Sequence, residues 1–274
     1  MFFIFLSALF SVMIANYLHY ISHKNLSVPY IFFGNYLFAF SILLIQSEKK
    51  QVSFLNYDLL LALFAGFMFV VNLLLYKKNV VKNGVSLSVS FMRIAVIIPV
   101  LLSFLIFSET VSLISLTGII LSVLIILSLC KFQKKFNILL ALSLFIVTGF
   151  TDYLLKIHQS ISLIPDSQFL ALLFFSAVIF SGLSIIITKS KFDWKSLCFG
   201  FGLGIPNLLT SVFFLKGLHS VPSIVCYPMN ASLIILGSFL SDSLIWKTRF
   251  SRKQVLLYLF LLISIFILNT GLHR

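Results

Sequence analysis

Charged residues are scarce in this sequence. They make up 10% of its 274 residues, whereas hydrophobic residues make up 60%. A soluble globular protein carries roughly 25% charged residues. The composition therefore excludes a soluble domain, and the mean hydropathy of +1.13 indicates an integral membrane protein.

Acidic residues are the scarcest charged type. The chain has 7 Asp and Glu residues against 20 Lys and Arg residues, which gives a net charge of +13. In a soluble protein this excess would suggest a nucleic-acid partner. Here the basic residues lie in short clusters between apolar segments, as they do in loops that face anionic lipid. We therefore expect a lipid bilayer, and no nucleic acid, as the partner.

Cysteines and catalytic motifs are also lacking. The three cysteines, Cys130, Cys198 and Cys226, lie near the ends of apolar segments, without the spacing of zinc ligands or of a disulfide framework. The chain has no HExxH, GxSxG, Walker A or GxGxxG motif. It also leaves no room for a nucleotide-hydrolysing domain. The sequence thus argues against an enzyme, a resident cofactor or metal, and an ATP-driven pump.

Apolar segments of about 20 residues recur along the chain, each long enough to cross a hydrocarbon core of about 30 Å. Their length and the near absence of polar alternation predict helices rather than strands. We therefore expect an all-α membrane protein with ten transmembrane helices. The predicted spans are 1–22, 27–46, 54–76, 84–107, 112–130, 136–157, 166–188, 194–216, 221–245 and 253–271.

Two stretches of equal length, 73–112 and 212–251, repeat one layout. Each contains the end of an apolar span, a short turn, a full apolar span and a polar segment. In this register Lys77 falls on Lys216, and Glu109 falls on Thr248. The order, spacing and polarity of the residues indicate an internal repeat.

The repeat extends to the first and sixth spans, where 1–22 and 137–158 share Tyr17 and Tyr153 at equivalent positions. The chain then divides into two five-helix halves, 1–131 and 132–274. Because five is odd, the second half enters the membrane from the opposite side. We therefore predict two inverted five-helix repeats, an arrangement that builds alternating-access carriers.

The segments around and after the fourth and ninth spans carry a related set of residues. They are Pro99, Glu109 and Ser112 in the first half and Pro222, Tyr227, Pro228, Lys247, Arg249 and Ser251 in the second. Ten spans in two five-helix halves, with these segments, are similar to the drug/metabolite transporter superfamily, in particular its EamA-like branch. The second-half acid of that pattern is replaced by Thr248. The resemblance implies a carrier of small metabolites, often an exporter, with a central cavity between the halves.

Arg93 lies near the middle of the predicted span 84–107. A charge there costs at least about 3 kcal/mol, so such a residue normally faces a cavity or a partner. One interpretation is substrate binding, in which case the guanidinium favours a carboxylate or phosphate. The other is a structural pair with Asp152.

Asp152 also has two interpretations. Lys156 lies one helical turn away, where an acid and a base form a favourable pair. Alternatively, Asp152 is a protonatable group that couples transport to a proton gradient. Its repeat counterpart Asn16 cannot titrate, so symmetry does not support a relay of two carboxylates.

Uncharged polar residues inside the spans complete the candidate site, although such residues often join helices instead. Glu109, Ser112 and Ser251 are better explained as helix caps, and Ser251 with Gln254 three residues later fits a capping box. The candidate substrate-binding residues are Arg93, Asn72, Asp152, Tyr153, Asn207, Tyr227 and Asn230.

These observations favour a secondary active transporter of a small polar or anionic metabolite, acting in export from a bacterial inner (plasma) membrane as a monomer or homodimer. A flippase for a lipid-linked substrate and a non-transporting membrane subunit are the alternatives. Most of the 20 basic residues lie on the side opposite the termini, so the positive-inside rule places the termini outside. The family resemblance instead implies cytoplasmic termini, and the orientation stays open.

Overall fold

The computed structural model describes residues 1–22, 24–46, 56–83, 85–110, 112–129, 137–247 and 249–272. The predicted breaks at 48–50 and 131–135, the boundary between the two proposed halves, Cys130 and Thr248 lie outside these ranges. Within them the structured segments are helices, and no strand occurs.

The helices follow the predicted spans in order. Eight of those in the described ranges are long and apolar enough to cross a membrane, which is the pattern of a multi-pass membrane protein; 91–107 and 113–128 form shorter apolar stretches. The helices are α1 (Phe2–Ser22), α2 (Val28–Gln46), α3 (Asn56–Asn83), α4 (Val85–Ile94), α5 (Ile97–Phe107), α6 (Leu113–Leu129), α7 (Ile138–Ile161), α8 (Asp166–Ile187), α9 (Trp194–Ser220), α10 (Ser223–Leu244) and α11 (Arg252–Leu272).

The predicted span 84–107 is two helices rather than one. Pro99 has no N–H to donate to the carbonyl of Ala95, and a proline ring clashes with the carbonyl four residues before it. The N–H of Ile98 bonds to the Ala95 carbonyl instead, at 3.0 Å. α7 approaches this break at Gly149, where a Cβ atom would lie 2.7 Å from that carbonyl oxygen. The prediction of one continuous helix was therefore wrong.

α3 continues past residue 76, where we predicted that its span ends. Asn79 Nδ2 donates to the carbonyl of Leu140 at 2.6 Å, and Asn83 Nδ2 donates to the carbonyl of Asn137 at 3.1 Å. The N–H of Asn137 donates in return to Asn83 Oδ1 at 2.7 Å. These contacts with the start of α7 hold the last turns of α3 in helical form. The lysine cluster that we interpreted as a loop therefore lies on a helix.

Side-chain caps fix several helix starts. The capping box predicted at Ser251 and Gln254 is confirmed: the N–H of Gln254 donates to Ser251 Oγ at 3.3 Å, and the N–H of Ser251 donates to Gln254 Oε1 at 3.0 Å. Ser112 Oγ accepts from the N–H of Ser115 at 3.2 Å at the start of α6. Asn137 Oδ1 caps α7 in the same way.

The helices form a bundle whose apolar side chains point both inward and outward. α2 packs on α8 and α9, and α3 packs on α7 and α8. α1 packs on α9 and α10, while α4 and α5 pack on α7, and α5 also packs on α10. α6 pairs with α11. Many large apolar residues stay exposed on the outer surface, for example Leu105 and Phe266, as expected where lipid covers them.

Candidate functional site

A cavity of about 150 Å³ lies inside the bundle, between α1, α4, α7, α9 and α10. It is lined by both polar and apolar side chains and by both signs of charge. The lining residues are Ser7, Ser11, Met92, Arg93, Val96, Asp152, Leu155, Thr210, Ser211, Phe214, Tyr227, Asn230, Ala231 and Ile234.

The break between α4 and α5 places Arg93 at this cavity. Arg93 is in the last turn of α4, just before the interruption. A positive charge is favoured at the end of a helix, where backbone carbonyls lack partners. Arg93, at the end of α4, and Val96, within the interruption, both border the cavity.

Asp152 of α7 lines the same cavity. The Arg93 guanidinium and the Asp152 carboxylate interact electrostatically, and Tyr76 lies near enough to Arg93 to interact with it as well. Among the described residues, however, no ion pair within 4.0 Å involves either Arg93 or Asp152. The two charges therefore share a cavity without neutralising each other by direct contact.

α10 contributes Tyr227 and Asn230 to the cavity. The Tyr227 hydroxyl donates to the backbone carbonyl of Asp152 at 2.6 Å, and its ring meets that of Phe214 edge-on at 5.2 Å. The next residue, Pro228, lies inside the helix and leaves the backbone carbonyl of Ile224 without its helical partner. These contacts join α10 to α7 and α9 beside the two charges.

Three predicted site residues lie outside the cavity lining. Asn72 Oδ1 accepts a hydrogen bond from Thr148 at 2.7 Å and so joins α3 to α7. Tyr153 is buried against the rings of Phe107 and Phe150. The backbone carbonyl of Asn207 accepts from the hydroxyl of Ser211, one turn along α9. The structure therefore brings together Arg93, Asp152, Tyr227 and Asn230, while substrate binding by each of the seven stays a prediction.

Four polar residues of the lining were not among the predicted site residues: Ser7, Ser11, Thr210 and Ser211. Ser7 and Ser11 are four residues apart, so they share one face of the first part of α1, whose other residues up to Ala15 are apolar. That spacing is a signal in the sequence that could have identified them. Thr210 and Ser211 are polar residues within an apolar span, where joining helices was the simpler interpretation.

A second polar cluster joins the segment after α5 to α7 and to the start of α10. Lys156 Nζ is 2.6 Å from Glu109 Oε1, so the expected pair of Lys156 with Asp152 is replaced by one with Glu109. Glu109 Oε2 accepts from the Ser223 hydroxyl at 2.8 Å and from the N–H of Ile224 at 3.0 Å. Glu109 is thus a cap, as predicted, but it caps α10 rather than its own following helix.

Burial raises the pKa of the Glu109 carboxyl, but the hydrogen bonds from Lys156, the Ile224 N–H and Ser223, with the Lys156 charge, outweigh it and lower that pKa below its usual value. Glu109 is therefore ionised at neutral pH. The buried ammonium of Lys156 also donates to Gln159 Oε1 at 2.7 Å. Both charges of this pair have the additional hydrogen bonds that a buried ion pair requires.

Two of the histidines that look scattered in the sequence meet in the structure. The Nε2 atoms of His158 and His219 each lie 3.0 Å from Asp166 Oδ1. The His158 ring stacks on Phe169 with centroids 3.8 Å apart. The cluster joins the ends of α7 and α9 to the start of α8, away from the cavity.

Comparison with known proteins identifies the fold but not the function. No protein-family model matches the chain. An uncharacterized protein of Haemophilus influenzae is 26% identical over 265 residues, covering 89% of each chain. A solved crystal structure superimposes on 97% of this chain with a TM-score of 0.77 and 10% identity, and 98% of that chain is covered. The likeness to the solved structure is one of fold alone.

Proposed function

We propose that this chain is a secondary active transporter that exports a small polar or anionic metabolite by alternating access between two inverted halves. The observation that carries the proposal is the central cavity, which holds Arg93 and Asp152 without a direct ion pair between them. Buried charges are expensive in a membrane protein unless they are paired or functional. A guanidinium facing a cavity is suited to a carboxylate or phosphate of a substrate.

The pairing of the helices supports two related halves. In the proposed repeat, α1, α2, α3, α4 with α5, and α6 correspond to α7, α8, α9, α10 and α11. α1 packs on α9 and α10, while its counterpart α7 packs on α3 and on α4 with α5. α2 packs on α9 as α8 packs on α3, and α2–α8 and α6–α11 are pairs of counterparts. The contacts stay the same when each helix is replaced by its counterpart in the other half. This is the pattern expected of two structurally equivalent halves.

The proposed number of spans supports inversion. α4 and α5 together would form one interrupted span and α6 another, which with the eight long helices would make ten. Interrupted helices near the bilayer centre are typical of binding sites in secondary transporters. With five spans in each half, the halves would have opposite orientations, as in the EamA-like carriers that the sequence resembles.

Polar contacts on both sides of the cavity support closure at either end. Along α10, the cavity residues lie between Ser223, which Glu109 binds, and Ser241, which donates to Asn16 Oδ1. The Trp246 Nε1–H also donates to Asn16 Oδ1, at 2.7 Å. In alternating access, the hydrogen bonds at one of these two ends would break while those at the other end stay formed.

Metabolite analysis tests the proposal. Soluble metabolites and lipids are measured inside and outside cells that express the wild type or Arg93→Ala at equal membrane abundance. We expect a soluble acid or phosphate to change its distribution with the wild type only. A change confined to lipids would favour a flippase, and no change, together with a stable partner recovered in mild detergent, would favour a non-transporting subunit.

A further inference from the structure

Contacts between the helices define one end of the bundle at which several connections meet. α3 and α8 run in the same direction, so both end there, and α9 begins there after α8. Lys24, which follows α1, lies over the ring of Phe199 near the start of α9, 4.7 Å from its centroid. The Trp246 Nε1–H, just after α10, donates to Asn16 in the second half of α1. The end of α3 and the connections after α1, α8 and α10 therefore lie together, at what we name the basic end.

Exposed lysines and arginines surround the basic end. They lie in the last two turns of α3, around the α8–α9 connection and around the α10–α11 connection: Lys77, Lys78, Lys82, Lys189, Lys191, Lys195, Lys247, Arg249, Arg252 and Lys253. The described acidic residues there are Asp193 and Asp242. At the opposite end, Lys216 alone among the described lysines and arginines is exposed. Lys156 is buried there in its pair with Glu109, so its charge is already balanced within the protein.

The segment 189–195, which connects α8 to α9, combines exposed positive charge with exposed aromatic rings. Lys189, Lys191 and Lys195 are exposed. Phe192 and Trp194, which lie among them, are 70% and 61% exposed. Aromatic side chains at the ends of membrane spans lie at the level of the lipid headgroups, and lysines beside them attract anionic lipids. The segment therefore fits a partner that is apolar inside and anionic at its surface.

We propose that segment 189–195 binds the headgroups of anionic phospholipids, with its lysines at the phosphates and with Phe192 and Trp194 at headgroup level. The cytoplasmic leaflet has the negative surface potential that attracts such segments, and cytoplasmic loops carry an excess of Lys and Arg. The basic end then faces the cytoplasm. Both termini, together with the pair of Glu109 and Lys156, face the other side. This orientation is opposite to the one that the family resemblance implies.

Tryptophan fluorescence tests lipid binding at this segment. The chain has 2 tryptophans, so Trp246→Phe leaves Trp194 as the reporter in the purified full chain. The protein is reconstituted into phosphatidylcholine vesicles that contain brominated phosphatidylcholine or brominated phosphatidylglycerol, and quenching by the two lipids is compared. We expect phosphatidylglycerol to be preferred at least about fivefold at low salt, which corresponds to one basic residue near an anionic surface.

Removal of the lysine charges locates the lipid site. Lys189→Gln, Lys191→Gln and Lys195→Gln together should reduce the preference to less than about twofold, while Lys216→Gln at the opposite end should keep it. Because all four side chains are exposed, both variants should unfold at about the temperature of the wild type. A preference that persists in the triple variant would overturn the proposal.

Salts distinguish a lipid headgroup from a free phosphate ion. Sodium chloride and sodium phosphate at equal ionic strength should weaken the preference for phosphatidylglycerol equally, because both screen exposed charges. A larger effect of phosphate would show that the segment binds the free ion and would overturn lipid binding.

Cysteine modification tests the orientation. Lys191→Cys and Ser220→Cys, at opposite ends, are introduced separately into a chain whose 3 native cysteines are replaced by alanine. A membrane-impermeant thiol reagent is applied to right-side-out or inside-out vesicles of the plasma membrane. We expect Lys191→Cys to react in inside-out vesicles only and Ser220→Cys in right-side-out vesicles only. Any other result for Lys191→Cys, or reaction of Ser220→Cys in inside-out vesicles, would overturn the proposal. Neither experiment depends on transport, so the proposed function is tested separately by the metabolite analysis.

Discussion

Arg93 is the residue on which the proposed chemistry depends most. It is positioned by the end of α4 and borders the cavity, where it shares space with Asp152 without direct contact between their charged groups. A lysine keeps the charge but lacks the planar fork of donors that matches a carboxylate or phosphate. The two substitutions Arg93→Lys and Arg93→Ala therefore separate charge from geometry.

We expect Arg93→Ala to abolish transport and Arg93→Lys to keep about a tenth of it or less, since loss of one charged hydrogen bond of about 1.5–3 kcal/mol is worth tenfold or more. Transport is measured with the metabolite that the partition experiment identifies, at equal abundance in the membrane. Lys216→Ala is the control, because Lys216 is exposed at the end of α9, outside the cavity lining. Full activity of Arg93→Ala would show that the charge is structural.

At the residue scale, the most informative signal in the sequence was the free-energy cost of placing a charge inside an apolar span. Arg93 and Asp152 stand out in the sequence because charges inside apolar spans are expensive, and both line the cavity. Asn72 could not be distinguished from Asn230 in this way, since an amide that joins two helices and one that faces a cavity have the same apolar neighbours. The rotation of each helix decides between them, and it is set by packing that a single span does not encode.

Among the elements, the interruption between α4 and α5 has the clearest physical cause. Pro99→Ala restores an N–H that can bond to the Ala95 carbonyl, so α4 and α5 should join and turn Arg93 away from its position. We expect transport to fall at least about tenfold while the melting temperature in detergent stays the same or rises, since a proline inside a helix costs about 3 kcal/mol.

Pro29→Ala is the matched control for that change. Pro29 lies in the first turn of α2, where the missing N–H has no helical partner to lose. Wild-type transport by Pro99→Ala would contradict a functional role for the interruption.

The ion pair of Glu109 with Lys156 and the hydrogen bonds of Glu109 to α10 predict that the stability of the protein depends on pH. Glu109→Gln leaves the buried ammonium of Lys156 unpaired, and we expect a loss at the low end of the roughly 3–5 kcal/mol for breaking a buried ion pair. The folded chain lowers the pKa of Glu109 below its usual value of 4.5. The stabilisation is therefore complete above pH 4.5 and is lost as the pH falls through the lowered pKa.

Thermal unfolding of the wild type and Glu109→Gln in detergent across this pH range measures the effect. The advantage of the wild type should be constant near neutral pH and should shrink below pH 4.5. Addition of Lys156→Met to Glu109→Gln should recover part of the lost stability, because the unpaired charge is removed. A difference between wild type and Glu109→Gln that grows on acidification would contradict the ion pair.

Helix existence could be predicted from the sequence, while helix ends and interruptions could be predicted only in part. The capping box at Ser251 followed from its spacing, and the structure contains it. The extension of α3 to Asn83 depends on contacts with Asn137, 54 residues further along the chain. Such partners come together only in the folded bundle, so local patterns could not indicate them.

At the scale of the whole molecule, hydropathy identified the class and the repeat suggested the arrangement. The order of apolar spans agrees with a helical membrane protein, because length and composition alone determine whether a helix can cross a bilayer. Which helices meet depends on small residues such as Gly200, where α9 approaches α2 so closely that a side chain would meet the Ile31 carbonyl. The location of the cavity between α1, α4, α7, α9 and α10 therefore had to come from the structure.

Access to the cavity from both sides of the membrane is the most direct test of the proposed mechanism. Ser11 lines the cavity on α1, and Ser11→Cys can be introduced into a chain whose 3 native cysteines are replaced by alanine. A membrane-impermeant thiol reagent is applied to right-side-out or to inside-out vesicles. Alternating access predicts modification of this cysteine from either side. Modification from one side only would contradict the carrier and favour a membrane subunit with a closed cavity.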